Sequence, residues 1–253
     1  MTARRDAPVA AADTDPAVLW HEVECGAYAA DLDLWDRLAA DRRGPVLELG
    51  CGIGRVTLAL ARAGHRVAGL DARPELIAEL ERRARAEDLG VSTWTADARR
   101  YSLGREFDLI LAPMQLAHLL GGADGRRAML ACSSRHLVSG GRLALALLAG
   151  DAASAVGVPP PVPDVLEREE WVYSSLPIEA RPVAAGIEVR RLRQTVSPQG
   201  ELSEELDVTT LETLTPDALE AEALACGLSA AARHEVAPTP DHVGSTVVVL
   251  EVR

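Results

Sequence analysis

The chain has 253 residues, 48% hydrophobic and 25% charged, ordinary proportions for a globular protein with room for one core and a lid. Its formal net charge is −12 and all 26 of its lysine-plus-arginine positions are arginine, which argues against a nucleic-acid partner, since phosphate binding calls for a basic face. The longest apolar run, Leu143 to Ala149, is far short of the ~20 residues of a membrane span, and the N-terminal arginines precede no apolar segment of a signal peptide.

The four cysteines, Cys25, Cys51, Cys132 and Cys226, show neither C-x-x-C spacing nor a disulfide framework, so reduced thiols in a cytoplasm are expected. Residues 1–13 lack periodicity and read as a disordered tail, with residues 14–253 forming one domain. Asp15-Pro16 is an N-cap followed by a first-turn proline, and it opens a short helix through Val18, Leu19 and Val23. A second helix is expected from Tyr28 to Ala40, with Leu32, Trp35 and Leu38 on one face. Pro45 to Leu49 is then an apolar run too short for a helix, with Glu48 set into it. Gly50, Cys51, Gly52, Ile53 and Gly54 form a turn whose glycines allow positive φ and close approach of a ligand. Arg55 to Ala63 has apolar residues at helical spacing and stops at Gly64. Val67 to Leu70 is the next strand, with Asp71 at its carboxyl end.

This strand–turn–helix–strand unit is a nucleotide-binding arrangement. A dinucleotide site carries G-x-G-x-x-G. Here the glycines run G-x-G-x-G, and Glu48 precedes them, which sets negative charge against a pyrophosphate and suits a ligand bearing an ammonium group. A nicotinamide-dependent oxidoreductase is disfavoured on both counts. The stretch resembles motif I of the class I S-adenosylmethionine-dependent methyltransferases. The resemblance implies that Glu48, Gly50, Cys51, Gly52 and Gly54 hold the methionine part of S-adenosyl-L-methionine, and that Asp71, with Ala72 behind it, binds the ribose hydroxyls.

Pro74 starts a charged helix running to about Asp88, Gly90 breaks it, and Val91 to Thr95 alternates as a third strand. Ala96-Asp97-Ala98 falls where the family carries an acid beside the adenine amine; a local cap is the other reading of Asp97. Phe107 to Leu111 is the fourth strand and leads into Ala112-Pro113-Met114-Gln115 at the carboxyl edge of the sheet, where ligands sit in open α/β folds. Ala112, expected beside the cofactor with Ala96, Asp97 and Ala98, stands where DNA-amine methyltransferases carry a polar residue. His118 either faces the pocket or is a buried or capping histidine. Gly121-Gly122 ends one helix, Ala128 to Val138 is another, and Ser139-Gly140-Gly141 turns into strand five, Arg142 to Leu148, beyond which Asp151 is placed to reach a substrate.

Residues 157–163 form a polyproline-like connector. Three strands are expected after it, Glu170 to Leu176, Ile187 to Val196 and Glu201 to Leu211. The last two flank the turn Ser197-Pro198-Gln199-Gly200, with Arg190, Arg191 and Arg193 facing Glu204, Glu205 and Asp207. Thr215-Pro216 caps the last helix, and Ala231 to Val236 with Thr246 to Val252 closes the sheet.

The resemblance implies a Rossmann-like, doubly wound, seven-stranded and mostly parallel sheet with an antiparallel last strand. Residues 151–213 are expected as an inserted antiparallel cap, apolar toward the pocket through Trp171, Val172, Leu192 and Val196. The implied activity is transfer of a methyl group to the N, O or C atom of a small molecule. His118, His21 and Tyr28 are the candidates for a base. No metal is expected, for no asparagine exists to complete an Asp/Asp/Asn ligand set. A protein that binds the cofactor without turnover is the alternative, and a homodimer through the hairpin remains open.

Overall fold

The structure is a computed structural model, and it describes residues 14–149, 162–239 and 242–252. The expected tail, Asp151 and most of the proline connector lie outside the described residues. The helices are α1 (Pro16–Cys25), α2 (Leu32–Ala40), α3 (Arg55–Arg62), α4 (Pro74–Ala86), α5 (Gly122–His136) and α6 (Pro216–Leu224). The first five strands are β1 (Val46–Leu49), β2 (Val67–Asp71), β3 (Ser92–Thr95), β4 (Phe107–Ala112) and β5 (Leu137–Leu148). Then come β6 (Asp164–Arg168), β7 (Trp171–Val183), β8 (Gly186–Val196), β9 (Leu202–Glu212), β10 (Leu228–Val236) and β11 (Ser245–Val252).

Seven strands form one sheet in the order β3-β2-β1-β4-β5-β11-β10. Only β11 runs antiparallel to its neighbours. The doubly wound sheet with an antiparallel last strand is therefore as expected. Its central strands are buried on both faces, as a sheet covered by helices on each side requires: Leu47, Leu49, Leu109, Ile110, Leu111, Leu143 and Leu145 are each no more than 1% exposed.

Several boundaries moved, each for a local reason. Helix α2 begins at Leu32 rather than Tyr28, because Arg55 holds the Tyr28 carbonyl (2.9 Å) and both oxygens of Asp31 in an irregular loop. The helix ending at Gly121-Gly122 is one short 3₁₀ turn, Leu116–His118, and α5 starts at Gly122 rather than Ala128. Strand β5 starts at Leu137; its pairing with β4 skips from Leu137 to Arg142, so the Ser139-Gly140-Gly141 turn bulges out with Gly140 at φ 71°.

The inserted segment is a separate four-stranded antiparallel sheet, β6-β7-β8-β9. Sequence reading missed β6, for the β6–β7 hairpin turns on Glu169 and Glu170 at φ 49° and 68°. Such a turn is usually signalled by Asn-Gly or Asp-Gly, and two glutamates give no hint of it. Strand β7 runs on through Pro177 and Pro182, where the expected strand ended at Leu176. Strand β6 pairs only with Trp171–Ser175, so beyond that point β7 has a free edge on which proline costs no ladder bond.

Helix α1 lies between the two sheets. Val18 packs with Ile53 and Leu76 of the large domain, and Leu19, Trp20 and Val23 pack with Tyr173 of the small sheet. Tyr173, Ser175, Arg191 and Arg193 share the face turned to α1. By the pleat, Val172, Leu192 and Val196 lie on the opposite face, so three of the four apolar residues expected over the pocket point away from α1, and only Trp171 lies on the inner side. Two of the three hairpin arginines also serve a different end. Arg193 pairs with Glu24 of α1 (2.7 Å) as well as Asp207 (3.0 Å), Arg191 pairs with Asp164 and Glu24, and Arg190 pairs with Glu179.

Candidate functional site

The site is built at the carboxyl edge of β1, β2, β4 and β5, and it starts with the turn between β1 and α3. Gly50, Gly52 and Gly54 have φ of 65°, 53° and 94°, a left-handed region that side chains avoid. A Cβ on Gly52 would lie 2.1 Å from Nε2 of His21, so only glycine lets α1 close over this turn. The Asp71 carboxylate accepts hydrogen bonds from the Gly52 N–H (3.0 Å) and the Arg73 N–H (2.9 Å), which fixes it at the end of β2 with lone pairs to spare. Ala72 is exposed beside it, and the Ala96 N–H donates to the Asp71 carbonyl (2.9 Å). Gly50, Gly52, Gly54, Asp71, Ala72 and Ala96 thus come together, with His21 above them.

Other expected residues have different placements. Glu48 is 3% exposed and accepts from the Thr57 hydroxyl of α3. Burial pushes its carboxyl up to about 8, opposed by the Thr57 bond and by Arg55. Cys51 donates its backbone N–H to the Leu70 carbonyl (3.1 Å) and accepts from the Gly54 N–H (2.9 Å), while its thiol is buried near Gly69, so it shapes the turn through its backbone. Asp97 accepts from the Arg99 N–H and pairs with the Arg99 guanidinium (2.7 Å), which holds it at about 2. The local-cap reading thus has structural grounds beside the adenine one. Ala98 and Ala112 are buried in the main core.

Of the two readings of His118, its geometry is that of the buried histidine and not of a pocket base. Its Nδ1–H donates to the Glu212 carbonyl (2.7 Å) and its Nε2 accepts from the Leu148 N–H (3.1 Å), with 2% of the residue exposed. Neither nitrogen is left to take a proton, and burial lowers its pKa. It joins Leu148, near the start of the inserted segment, to Glu212 at its end. Glu212 is held further by the Gly122 N–H and Arg126.

Tyr28 and His21 remain beside the site. Tyr28 lines a cleft together with Asp31, Met114, Gln115, His242 and Ser245. Its ring lies 4.6 Å from the His242 ring, and the Arg55 guanidinium is 5.0 Å from it on the ring face. Met114 adopts φ 55°, a conformation uncommon for a side-chain-bearing residue and often found at functional sites. Leu116, next to Gln115, approaches to 3.2 Å of a Cβ placed on Gly50, so cleft and glycine turn adjoin. His21 has a buried Nδ1 without a hydrogen-bond partner among the described residues. Burial lowers its pKa against the pull of Asp71. His242 was missed in the sequence. The usable signal was that the loop before an antiparallel last strand must end at the carboxyl edge of the parallel strands. Among the described residues no group of His, Cys, Asp and Glu is arranged to hold a metal ion, and no helix is long and apolar enough to cross a membrane.

Residues 46–141 match a family described as a methyltransferase domain. Over 96 residues, 38% of each chain, the protein is 33% identical to the cypemycin N-terminal methyltransferase of a Streptomyces species. A shorter match, 41% over 54 residues, is to an uncharacterized RNA methyltransferase of Parasynechococcus marenigrum. The chain spans only 38% and 12% of these two relatives. The fold is similar to that of a sugar N-methyltransferase from a Streptoalloteichus species (TM-score 0.76, 18% identity, 100% of this chain and 99% of that one). It is also similar to an amino pentose methyltransferase of Micromonospora echinaspora with S-adenosylmethionine bound (TM-score 0.70, 20% identity, 93% and 97%).

Proposed function

We propose, from the premise that the chain is built on a class I S-adenosylmethionine-dependent methyltransferase domain, that the protein moves a methyl group from S-adenosyl-L-methionine to a nucleophile of a small molecule, with a sugar nitrogen the first candidate acceptor. The observation that carries this reading is Asp71, held by the Gly52 N–H at the end of β2 beside three glycines in left-handed conformation. That cradle has the shape and charge for the cofactor: an open backbone turn for its amino-acid end and a carboxylate for its ribose hydroxyls. Charge and fold neighbours both support a small acceptor over RNA, since the chain carries −12 and its arginines are largely matched by acids.

The cofactor, when bound, supplies a methyl group already activated on a sulfonium, so the protein's own work is alignment and exclusion of water. Helix α1 covers the glycine turn through His21. The cleft holds the acceptor between Tyr28, Met114, Gln115 and His242. We assign proton acceptance to a histidine, His242 in the cleft or His21 above the turn, with Tyr28 against the His242 ring.

The test is calorimetry with S-adenosylmethionine followed by labelled-methyl transfer to a panel of amino sugars. Asp71→Ala should weaken cofactor binding at least tenfold, about 1.4 kcal/mol or more, because hydrogen bonds to a charged group contribute about 1.5–3 kcal/mol. Equal affinity in wild type and Asp71→Ala would remove the cofactor assignment. Tight binding without transfer to any acceptor would favour a non-catalytic binder.

A further inference from the structure

We propose, resting on the cofactor reading above, that His21 binds the carboxylate of S-adenosyl-L-methionine as a hydrogen-bond donor through Nε2, which leaves proton acceptance to His242. Two observations on the ring carry this. Nε2 is the His21 atom nearest Gly52, 2.1 Å from where a Cβ on that glycine would stand, above the residue whose N–H holds Asp71. Nδ1, by contrast, is buried and has no hydrogen-bond partner among the described residues, whereas Nε2 is not enclosed. Helix α1 holds the ring there from both sides. Val18 packs on Ile53 and Leu76, Trp20 packs on Tyr173, and Glu22 is paired with Arg83 of α4 (3.1 Å) and Arg168 of β6 (2.5 Å).

The enclosure of one nitrogen fixes what the other can do. A neutral imidazole carries one N–H and one lone pair. A buried N–H without an acceptor is rarer in proteins than a buried acceptor without a donor, so the lone pair belongs on Nδ1 and the proton on Nε2. In the protonated ring Nε2 carries a proton as well. A general base needs the reverse, a lone pair turned to the reacting group, and taking a proton would enclose an unpaired N–H and a charge. Of the charged groups around the ring, Asp71 and Glu24 favour the protonated form, Arg73 and Arg55 oppose it, and burial, the largest influence, lowers the pKa. His21 is therefore a donor in the cradle. The anionic group of the cofactor is the carboxylate of its amino-acid end, the end that the glycine turn suits. Neither neighbouring arginine is free to meet it: Arg55 is engaged by the Tyr28 carbonyl and both oxygens of Asp31, and Arg73 by Glu75 (2.8 Å). Asp71 would repel it. The donor that remains above the turn is Nε2 of His21.

Calorimetry on the full chain with two ligands tests this: S-adenosylhomocysteine, which carries the carboxylate, and 5′-methylthioadenosine, which lacks the whole amino-acid end. His21→Phe keeps a ring against Gly52 and removes the donor. It should weaken S-adenosylhomocysteine about tenfold or more and leave methylthioadenosine within about twofold. His21→Gln, whose amide N–H reaches the place of Nε2, should return S-adenosylhomocysteine to within about threefold of wild type. Nitrogen-15 NMR of histidine-labelled protein should show the His21 signal, identified by its loss in His21→Gln, with a proton on Nε2. Unchanged S-adenosylhomocysteine affinity in His21→Phe would overturn the proposal, as would an equal loss for both ligands or a bare Nε2. Binding of neither ligand by the wild type would instead remove the cofactor reading itself. None of these readouts depends on the acceptor or on turnover.

Discussion

Burial changes what single side chains can do. Glu48 carries the same carboxyl as Asp71, yet one is enclosed under α3 and the other stands at the strand end. With its carboxyl raised to about 8, Glu48 is largely protonated at pH 7 in the free protein. A group whose folded pKa lies above its unfolded value contributes stability fully present below the unfolded value and lost as pH rises through the folded one. Thermal stability should therefore fall between about pH 4.5 and 8 on account of Glu48, by up to ~1.4 kcal/mol per pH unit. Glu48→Gln, which keeps the acceptor for Thr57, should flatten that slope in thermal melts; an unchanged profile would show that Glu48 is ionised in its site. His118 has the reverse sign. Its folded pKa is lowered by burial, so it removes stability as pH falls below about 6.5, where protonation would point an N–H at the Leu148 N–H. His118→Ala leaves that N–H and the Glu212 carbonyl unpaired and opens a cavity. A loss of about 2–4 kcal/mol is expected in denaturant titrations, with cofactor affinity measured at low temperature changing less than threefold.

At the scale of elements, α1 does more than cover the cofactor. It fastens the small sheet to the large domain, by Leu19, Trp20 and Val23 against Tyr173 and by Glu24 against Ser175 and Arg193. The Arg193 guanidinium also lies 5.2 Å from the Trp20 ring. Glu24→Ala strands two half-buried arginines without their shared acid, which should cost about 1–3 kcal/mol. The melting temperature should drop by several degrees, and exchange across β7 and β8 should speed up more than across β1 and β4. Uniform acceleration everywhere would mean that the two sheets unfold as one unit. Because α1 and Glu212 both depend on it, the small sheet is not a detachable cap. Replacing residues 151–213 with a linker would expose the α1 apolar face and unpair His118, so cofactor affinity should suffer along with turnover.

At the scale of the molecule, the order β3-β2-β1-β4-β5-β11-β10 places every parallel strand end on one edge, and the antiparallel β11 brings the His242 loop to that same edge. The sequence determined the β1–α3–β2 unit down to Glu48, the three glycines and Asp71, because strand, turn and helix signals there are local and the turn leaves glycine no substitute. The caps at Asp15 and Thr215 were legible for the same reason: each is settled by a side chain reaching a backbone N–H two or three residues on. Only the tertiary structure decided what depends on distant partners. His118 reads identically as a base or a buried link until Leu148 and Glu212 are placed around it. The inner and outer faces of the small sheet were indistinguishable while Arg191 and Arg193 had no Glu24 in view. The cleft joins Tyr28, Met114 and His242 from three distant parts of the chain, and no periodicity in one segment records which residues of another it will meet.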